Sequence, residues 1–190
     1  MSLKKIAILF SGEGSNLEAL IRALHRKSFG DTTIEVALTL TNNPHANGIM
    51  RARKYGLEPV ILDHTQFGSR EAFDTALVEI IASHGVDLTV LAGFMRILTP
   101  VFTDRIRAIN IHPSLLPLFK GANALQRSFA SDMKVAGVTT HMVTSELDSG
   151  EIVDQACFGC DGLDFEQFKA KIAQTEHALY PESVKKVLLT

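Results

Sequence analysis

The feature that most constrains this chain is the rhythm of its apolar runs. Residues 6–10, 34–40, 59–62, 88–92 and 106–111 are continuous stretches, rich in β-branched residues and leucine. A strand wet on one face alternates apolar and polar residues. A strand of a parallel sheet, covered by helices on both faces, reads as an unbroken apolar run. Between the runs lie amphipathic stretches predicted to be helical, at 16–27, 46–55 and 70–83, with a short one near 100–107. Strand and helix in alternation predict an α/β fold: a doubly wound, mostly parallel sheet flanked by helices.

The second half is less regular. Residues 135–143 and 151–158 read as strands joined by the polar link 145–150. A parallel pair needs a crossover of a dozen residues or so, which predicts an antiparallel elaboration in the C-terminal half. A last amphipathic helix is expected at 165–180, with Phe165, Phe168, Ile172, Ala173 and Leu179 on one side. Pro181 is expected to end or kink it before a short segment at 183–189. With no repeat and no linker, residues 1–190 are read as a single domain.

Composition excludes several classes of function. Nineteen Lys and Arg against 21 Asp and Glu give a net charge of −2, which argues against gripping nucleic acid by bulk charge. No run of about 18 apolar residues suits a membrane span. The apolar stretch after Lys4 and Lys5 stops at Phe10, too soon for a secretory signal. Two cysteines make no disulfide framework, and a reducing cytoplasm is expected. Cys157 and Cys160 form a lone C-x-x-C without the second pair a structural zinc needs, and are read as structural or incidental.

Two segments carry chemistry. The first strand runs into Ser11-Gly12-Glu13-Gly14-Ser15-Asn16 and then a helix, with Ser15 and Glu18 spaced as a capping box. Free N–H groups at a helix start, reached across Gly12 and Gly14, suit a phosphate. A plain strand-to-helix turn would use the same residues. Glu13 would have to point away from an anion. The loop lacks the Gly-Lys-Ser/Thr of a Walker A motif, and Leu17 stands where a dinucleotide fingerprint has its third glycine.

The second segment is Asn110-Ile111-His112-Pro113. On a strand, Asn110 and His112 share a face, ~7 Å apart. Pro113 places His112 at the strand's carboxyl end, the ligand-binding edge of open α/β sheets. Histidine can move protons and an asparagine amide can hold an oxyanion. A buried, hydrogen-bonded histidine is the competing reading. Asp148, within Glu146-Leu147-Asp148-Ser149-Gly150, would orient and charge His112 if the fold brings them together. It could equally be an ordinary turn aspartate. His141 reads as a satisfied core or edge histidine, and His25, His45, His64 and His84 as surface residues. Glu176, beside His177, is a possible polar contact near the sheet end. Lys4, Lys5, Arg22, Arg26 and Lys27 read as a solvated basic face.

Taken together, residues 11–18, 91–98, 110–117 and 147–150, with Glu176-His177-Ala178-Leu179-Tyr180-Pro181, resemble the formyl-folate transferases. The closest likeness is to their phosphoribosylglycinamide formyltransferase branch, and it extends over nearly the whole chain. The resemblance implies a cytoplasmic enzyme of purine biosynthesis that passes a formyl group from 10-formyltetrahydrofolate to the amine of glycinamide ribonucleotide. It implies no metal, no nucleic acid, no membrane, and a monomer or homodimer.

By that resemblance Asn110, His112 and Asp148 form the catalytic trio. Gly12, Gly14, Ser15, Asn16, Ala173, Gln174, Thr175 and Glu176 would hold the ribonucleotide. Arg70, Met95, Arg96, Ile97, Leu98, Asn110, Thr144, Ser145, Glu146, Leu147 and Asp148 would hold the folate. The nucleotide side would fall in the N-terminal half and the folate side in the C-terminal half. Two departures stand out: Asn123 lies where many relatives carry His, and Glu13 where the residue is usually uncharged. The Gly121-Ala122…Gln126-Arg127 pattern is also similar to methionyl-tRNA formyltransferases. A carboxyl-terminal tRNA-binding domain is not expected in a chain of this length, nor is the amino-terminal regulatory domain of a formyltetrahydrofolate deformylase.

Overall fold

The computed structural model describes residues 2–189. Strands β1 (Ser2–Phe10), β3 (Thr32–Thr41), β5 (Leu88–Leu91) and β6 (Ala108–His112) form the parallel centre, in the order β3-β1-β5-β6. Beyond β3 lie β2 (Lys27–Phe29), antiparallel to it, and β4 (Val60–Ile61), parallel to it. Beyond β6, β7 (Val135–Met142) and β8 (Ile152–Gly159) run antiparallel. The expected fold class and the antiparallel C-terminal extension are both present.

The continuous apolar runs have the cause inferred for them. Along β1, Ile6, Ile8 and Phe10 face a cluster built with Leu17, Leu20, Ile21 and Leu24 of α1 (Ser15–Leu24) and with Phe168, Tyr180 and Val184 of α6 (Phe165–Leu189). Ala7 and Leu9 face the opposite cluster, with Phe73, Leu77, Val78 and Ile81 of α3 (Arg70–Ser83). Alternate side chains thus leave water on opposite faces, and no position along the inner half of β1 can be polar. Helix α2 (Gly48–Arg53) packs on the α1 side, and Phe102 of α4 (Pro100–Thr103) on the α3 side.

The sequence reading needs correction at four points. Helix α1 stops at Leu24, and residues 27–29 form an edge strand that their exposed, polar composition does not announce. The short helix α5 (Ala124–Phe129) is an addition. The capping box does not form: Gly14, at φ 74°, caps α1 without a side-chain bond, which puts Ser15 inside the first turn. Glu18 turns instead to Arg51 of α2 and accepts from the Tyr55 hydroxyl at 3.2 Å. The Arg51 guanidinium holds its carboxyl below the usual range.

Finally, α6 runs unbroken through Pro181. An interior proline costs about 3 kcal/mol. Tyr180, Val184 and Leu188 are buried on the same helix, each contributing about 1.5–3 kcal/mol, so packing wins. The Tyr180 hydroxyl reaches the carbonyls of both Leu91 and Ile109 at 2.9 Å, tying α6 to the last residue of β5 and to the start of β6.

Candidate active site

In a doubly wound sheet the strand order reverses beside its first strand, and the crevice opens at the carboxyl ends there. Here that place lies between β1 and β5. A cleft of about 450 Å3 is lined by residues 11–16, Asn42, Asn43, His64, Ala92, Gly93 and Met95. Ser11 is its keystone: its hydroxyl donates to Asn42 Oδ1 at 2.5 Å and accepts the Met95 N–H at 2.7 Å, while its carbonyl accepts from Asn43 Nδ2.

Gly14 must be glycine twice over. Its φ is positive, and a Cβ would lie 2.6 Å from Gly48 Cα. The close approach of α2 lets the Gly48 N–H reach the Gly12 carbonyl at 3.0 Å. The first N–H groups of α1 have no intrahelical acceptor, and Gly14, Ser15 and Asn16 at that helix start line the cleft. Glu13 is exposed and drawn aside to Asn47, whose Nδ2 donates to it at 2.8 Å. Asn16 Nδ2 donates to Glu176 at 2.9 Å, while Asn16 Oδ1 is buried without a partner among the described residues. Burial pushes the Glu176 carboxyl up, against the opposing Asn16 bond.

Two further clefts adjoin. One, of about 430 Å3, is lined by residues 93–97, 110–113 and 121–126 with Leu147 and Asp148. The other, of about 110 Å3, is lined by Leu91, Phe94, residues 96–98, Asn110, His141 and residues 143–148. Asn110, Leu147 and Asp148 belong to both, and Gly93 and Met95 border the first cleft as well as the second.

The fold brings the trio together at this junction. The Asp148 carboxylate, 6% exposed, has Oδ2 3.4 Å from His112 Nδ1 and accepts the Gly121 N–H at 2.8 Å. Its other oxygen lies 3.6 Å from His141 Nε2. His112 Nε2 meets the Phe119 carbonyl at 3.0 Å. Burial alone would raise the Asp148 carboxyl. The His141 imidazole, the Gly121 N–H and the His112 imidazole together hold it below the usual carboxylate range. The loop carrying Asp148 is seated by Gly150, where a Cβ would fall 1.8 Å from the Met142 carbonyl oxygen.

The expected residues do not all converge. Met95, Arg96, Ile97, Leu98 and residues 144–148 line the clefts. Arg96 lies over the Phe73 ring with its Nε buried and unpartnered among the described residues. Arg70, exposed at the start of α3, lines none of the three clefts, nor do Ala173, Gln174, Thr175 and Glu176, the last of which reaches the first cleft through its bond from Asn16. Asn123 is exposed, caps α5 in a left-handed conformation and lines the second cleft. Cys157 is exposed, and Cys160 is half-buried with its thiol donating to the Met133 carbonyl.

Among the histidines, only His45 is a plain surface residue. His25 accepts the Val36 N–H, and His84 lies against the Ile80 carbonyl. His64 bonds Asn42 and lines the first cleft. His141, 3% exposed, belongs to the trio's immediate surroundings. Nothing in its sequence neighbourhood marks it; the one available signal is that a strand pairing with β6 sets some β7 side chain beside Asn110.

The formyl transferase family matches residues 4–184. The chain belongs to this family. It is 39% identical over 181 residues to the phosphoribosylglycinamide formyltransferase of Escherichia coli K12, covering 93% of this chain and 83% of that protein. It is 37% identical over 186 residues to the trifunctional purine biosynthetic protein adenosine-3 of Gallus gallus, but spans only 18% of that protein's length. Among solved structures, phosphoribosylglycinamide formyltransferase from Campylobacter jejuni is 55% identical, with a TM-score of 0.96 over 97% of both chains. That from Streptococcus pneumoniae is 32% identical, with a TM-score of 0.88 over 98% of this chain and 99% of that one. No helix among the described residues is long and apolar enough to cross a membrane.

Proposed function

We propose that residues 1–190 form a single formyltransferase domain that moves the formyl group of 10-formyltetrahydrofolate to the amine of glycinamide ribonucleotide, in the cytoplasm and in purine biosynthesis. The observation that carries this reading is the junction itself: Asn110, His112 and Asp148 line the second cleft, which shares Gly93 and Met95 with the cleft at the helix start. The loop at residues 12–16, with Glu176, suits a phosphorylated ribose. Phe94, Ile97, Leu98, Val143 and Leu147 suit a flat heterocycle, with the orphaned Arg96 Nε supplying a donor beside them.

In the transfer the substrate amine attacks the formyl carbon. A C–N bond to the amine forms, the bond to the folate nitrogen N10 breaks, and the amine loses a proton while N10 gains one. The Asn110 amide and His112 stabilise the oxyanion of the tetrahedral intermediate. Both nitrogens of His112 face acceptors, the Asp148 carboxylate and the Phe119 carbonyl. An acceptor takes a hydrogen, so this setting suits an imidazolium. Asp148 orients that ring and assists proton transfer through water. The Phe119 carbonyl holds the place at Nε2 that the oxyanion takes, and the loop carrying it yields to substrate. Holding two reactants side by side contributes much of the remaining acceleration. No step calls for a metal.

The purified protein, given 10-formyltetrahydrofolate, is tested with glycinamide ribonucleotide, initiator methionyl-tRNA or water as acceptor. Consumption that depends on the ribonucleotide is expected. Consumption at the same rate without it would overturn the assignment in favour of a hydrolase.

A further inference from the structure

The cleft assigned to the phosphorylated ribose contains no fixed positive charge. None of its lining residues is a lysine or an arginine, and its one carboxylate, Glu13, is drawn aside to Asn47. A phosphate monoester carries close to two negative charges at neutral pH. Backbone N–H groups at a helix start offer only partial charge. Of the side chains lining this cleft, only that of His64 can become a cation near neutral pH.

His64 is also held as a binding group needs to be. It opens the short 3-10 turn His64–Gln66, whose cap Asp63 accepts the Thr65 N–H at 3.0 Å and the Thr65 hydroxyl at 2.8 Å. One edge of the ring is fixed: Nδ1 lies 2.9 Å from the Asn42 carbonyl and 3.1 Å from Asn42 Nδ2. Asn42, 4% exposed, is fixed in turn by the Ser11 hydroxyl, the same group that accepts the Met95 N–H. The other ring nitrogen, Nε2, has no partner among the described residues. The charged groups around the ring are Asp63 beside it and Glu13 on the loop that shares the cleft, and neither bonds it. Asn42 and Asn43 after β3, and Ala92, Gly93 and Met95 after β5, bring no charge.

We propose that His64 is a further substrate-binding residue, whose imidazolium donates from Nε2 to the phosphate of the ribonucleotide. The imidazolium carries a hydrogen on both nitrogens, so Nδ1–H serves the Asn42 carbonyl and Nε2–H serves a phosphate oxygen. The bound pair keeps a proton that a neutral ring and a free dianion do not hold, so binding near neutral pH takes up a proton. The identity of the phosphate's owner rests on the proposed function. The capture of a sugar phosphate at His64 does not depend on formyl chemistry.

Ribose 5-phosphate is therefore the probe. A hydrogen bond to a charged group is worth about tenfold or more in affinity. His64→Gln should bind ribose 5-phosphate about tenfold more weakly than wild type at about pH 6, and within about twofold at about pH 8, where an ordinary imidazole is neutral. His64→Lys keeps its cation at both values and should bind more tightly than His64→Gln at about pH 8. In wild type, the NMR titration of His64 should move upward on saturation with ribose 5-phosphate. In formyl transfer, His64→Gln should raise KM for the ribonucleotide, with KM for the formyl donor within about twofold.

A His64 titration unmoved by ribose 5-phosphate, or a wild-type advantage over His64→Gln that is the same at both pH values, would overturn the proposal. So would a KM increase shared equally by both substrates. If wild-type protein binds ribose 5-phosphate through His64 but formylates no ribonucleotide, the assigned reaction fails while the binding role of His64 stands.

Discussion

Gly150→Ala tests the claim that the 144–150 loop is held where Asp148 needs it. A methyl at position 150 would lie 1.8 Å from the Met142 carbonyl oxygen, 2.8 Å from its carbon and 3.3 Å from Thr144 Cγ2. The first two are backbone atoms of β7, which is paired on one side with β6 and on the other with β8. The strand stays, so the loop must retreat, by about 1.2 Å to reach even the shortest separation real methyls show. Asp148, two residues away, then loses its 2.8 Å bond from the Gly121 N–H and its place against His112.

A misplacement of about 1 Å in an active site costs on the order of 10²-fold in turnover, which is the expected loss. Overpacking should also cost about 1–3 kcal/mol. For a chain of this length each kcal/mol lowers Tm by roughly 2–4 °C. The assay is steady-state formyl transfer well below the variant's Tm, paired with denaturant unfolding. Gly159→Ala is the control, since a Cβ there meets nothing within 4 Å. Turnover within twofold of wild type in Gly150→Ala, at a reduced Tm, would show that Asp148 is not placed by this contact.

Three other outcomes are expected. Asp148→Asn keeps an acceptor for Gly121 but removes the charge between two imidazoles, and should lower turnover by about 10²–10⁴-fold; unchanged turnover would refute its role. Tyr180→Phe strips the 2.9 Å partner from the buried Leu91 and Ile109 carbonyls and should cost about 1–3 kcal/mol by denaturant unfolding. An unchanged unfolding midpoint would show that those carbonyls are satisfied otherwise. Glu176 has a pKa raised by burial, so its neutral form favours the folded state at low pH, and that contribution is lost as pH rises through the folded value. Glu176→Gln titrates nothing, so its Tm should gain on wild type as pH rises from the ordinary carboxylate range through the raised folded value; a gap independent of pH would contradict this.

The fold was legible wherever one physical cause dominated. Burial on both faces makes the central strands read as continuous apolar runs, and helix α3 falls at residues 70–83 as its pattern predicts. Legibility failed where two causes compete. At Pro181 a local helix-breaking rule meets the burial of Tyr180, Val184 and Leu188, and periodicity cannot say that the packing term is larger. At Ser15 and Glu18 the spacing of a capping box is present, but a glycine at positive φ and a cation from α2 take over both roles. Residues 27–29 are drawn into the sheet by β3 alone, through backbone bonds that composition does not encode.

The site divides in the same way, and the division explains why His141 passes unnoticed while His112 does not. His112 announces itself through local grammar: a strand, an asparagine two residues earlier on the same face, and a proline that ends the strand at its ligand-binding edge. His141 has no such grammar, because every group that gives it meaning comes from elsewhere in the chain. Asn110 reaches it across the β6–β7 pairing, Asp148 through a turn closed by Gly150, and only the Met142 carbonyl is a sequence neighbour. A residue that reacts must sit at an edge the sequence can mark. One that is buried behind that edge carries no local mark, and only the strand pairing brings its partners to it.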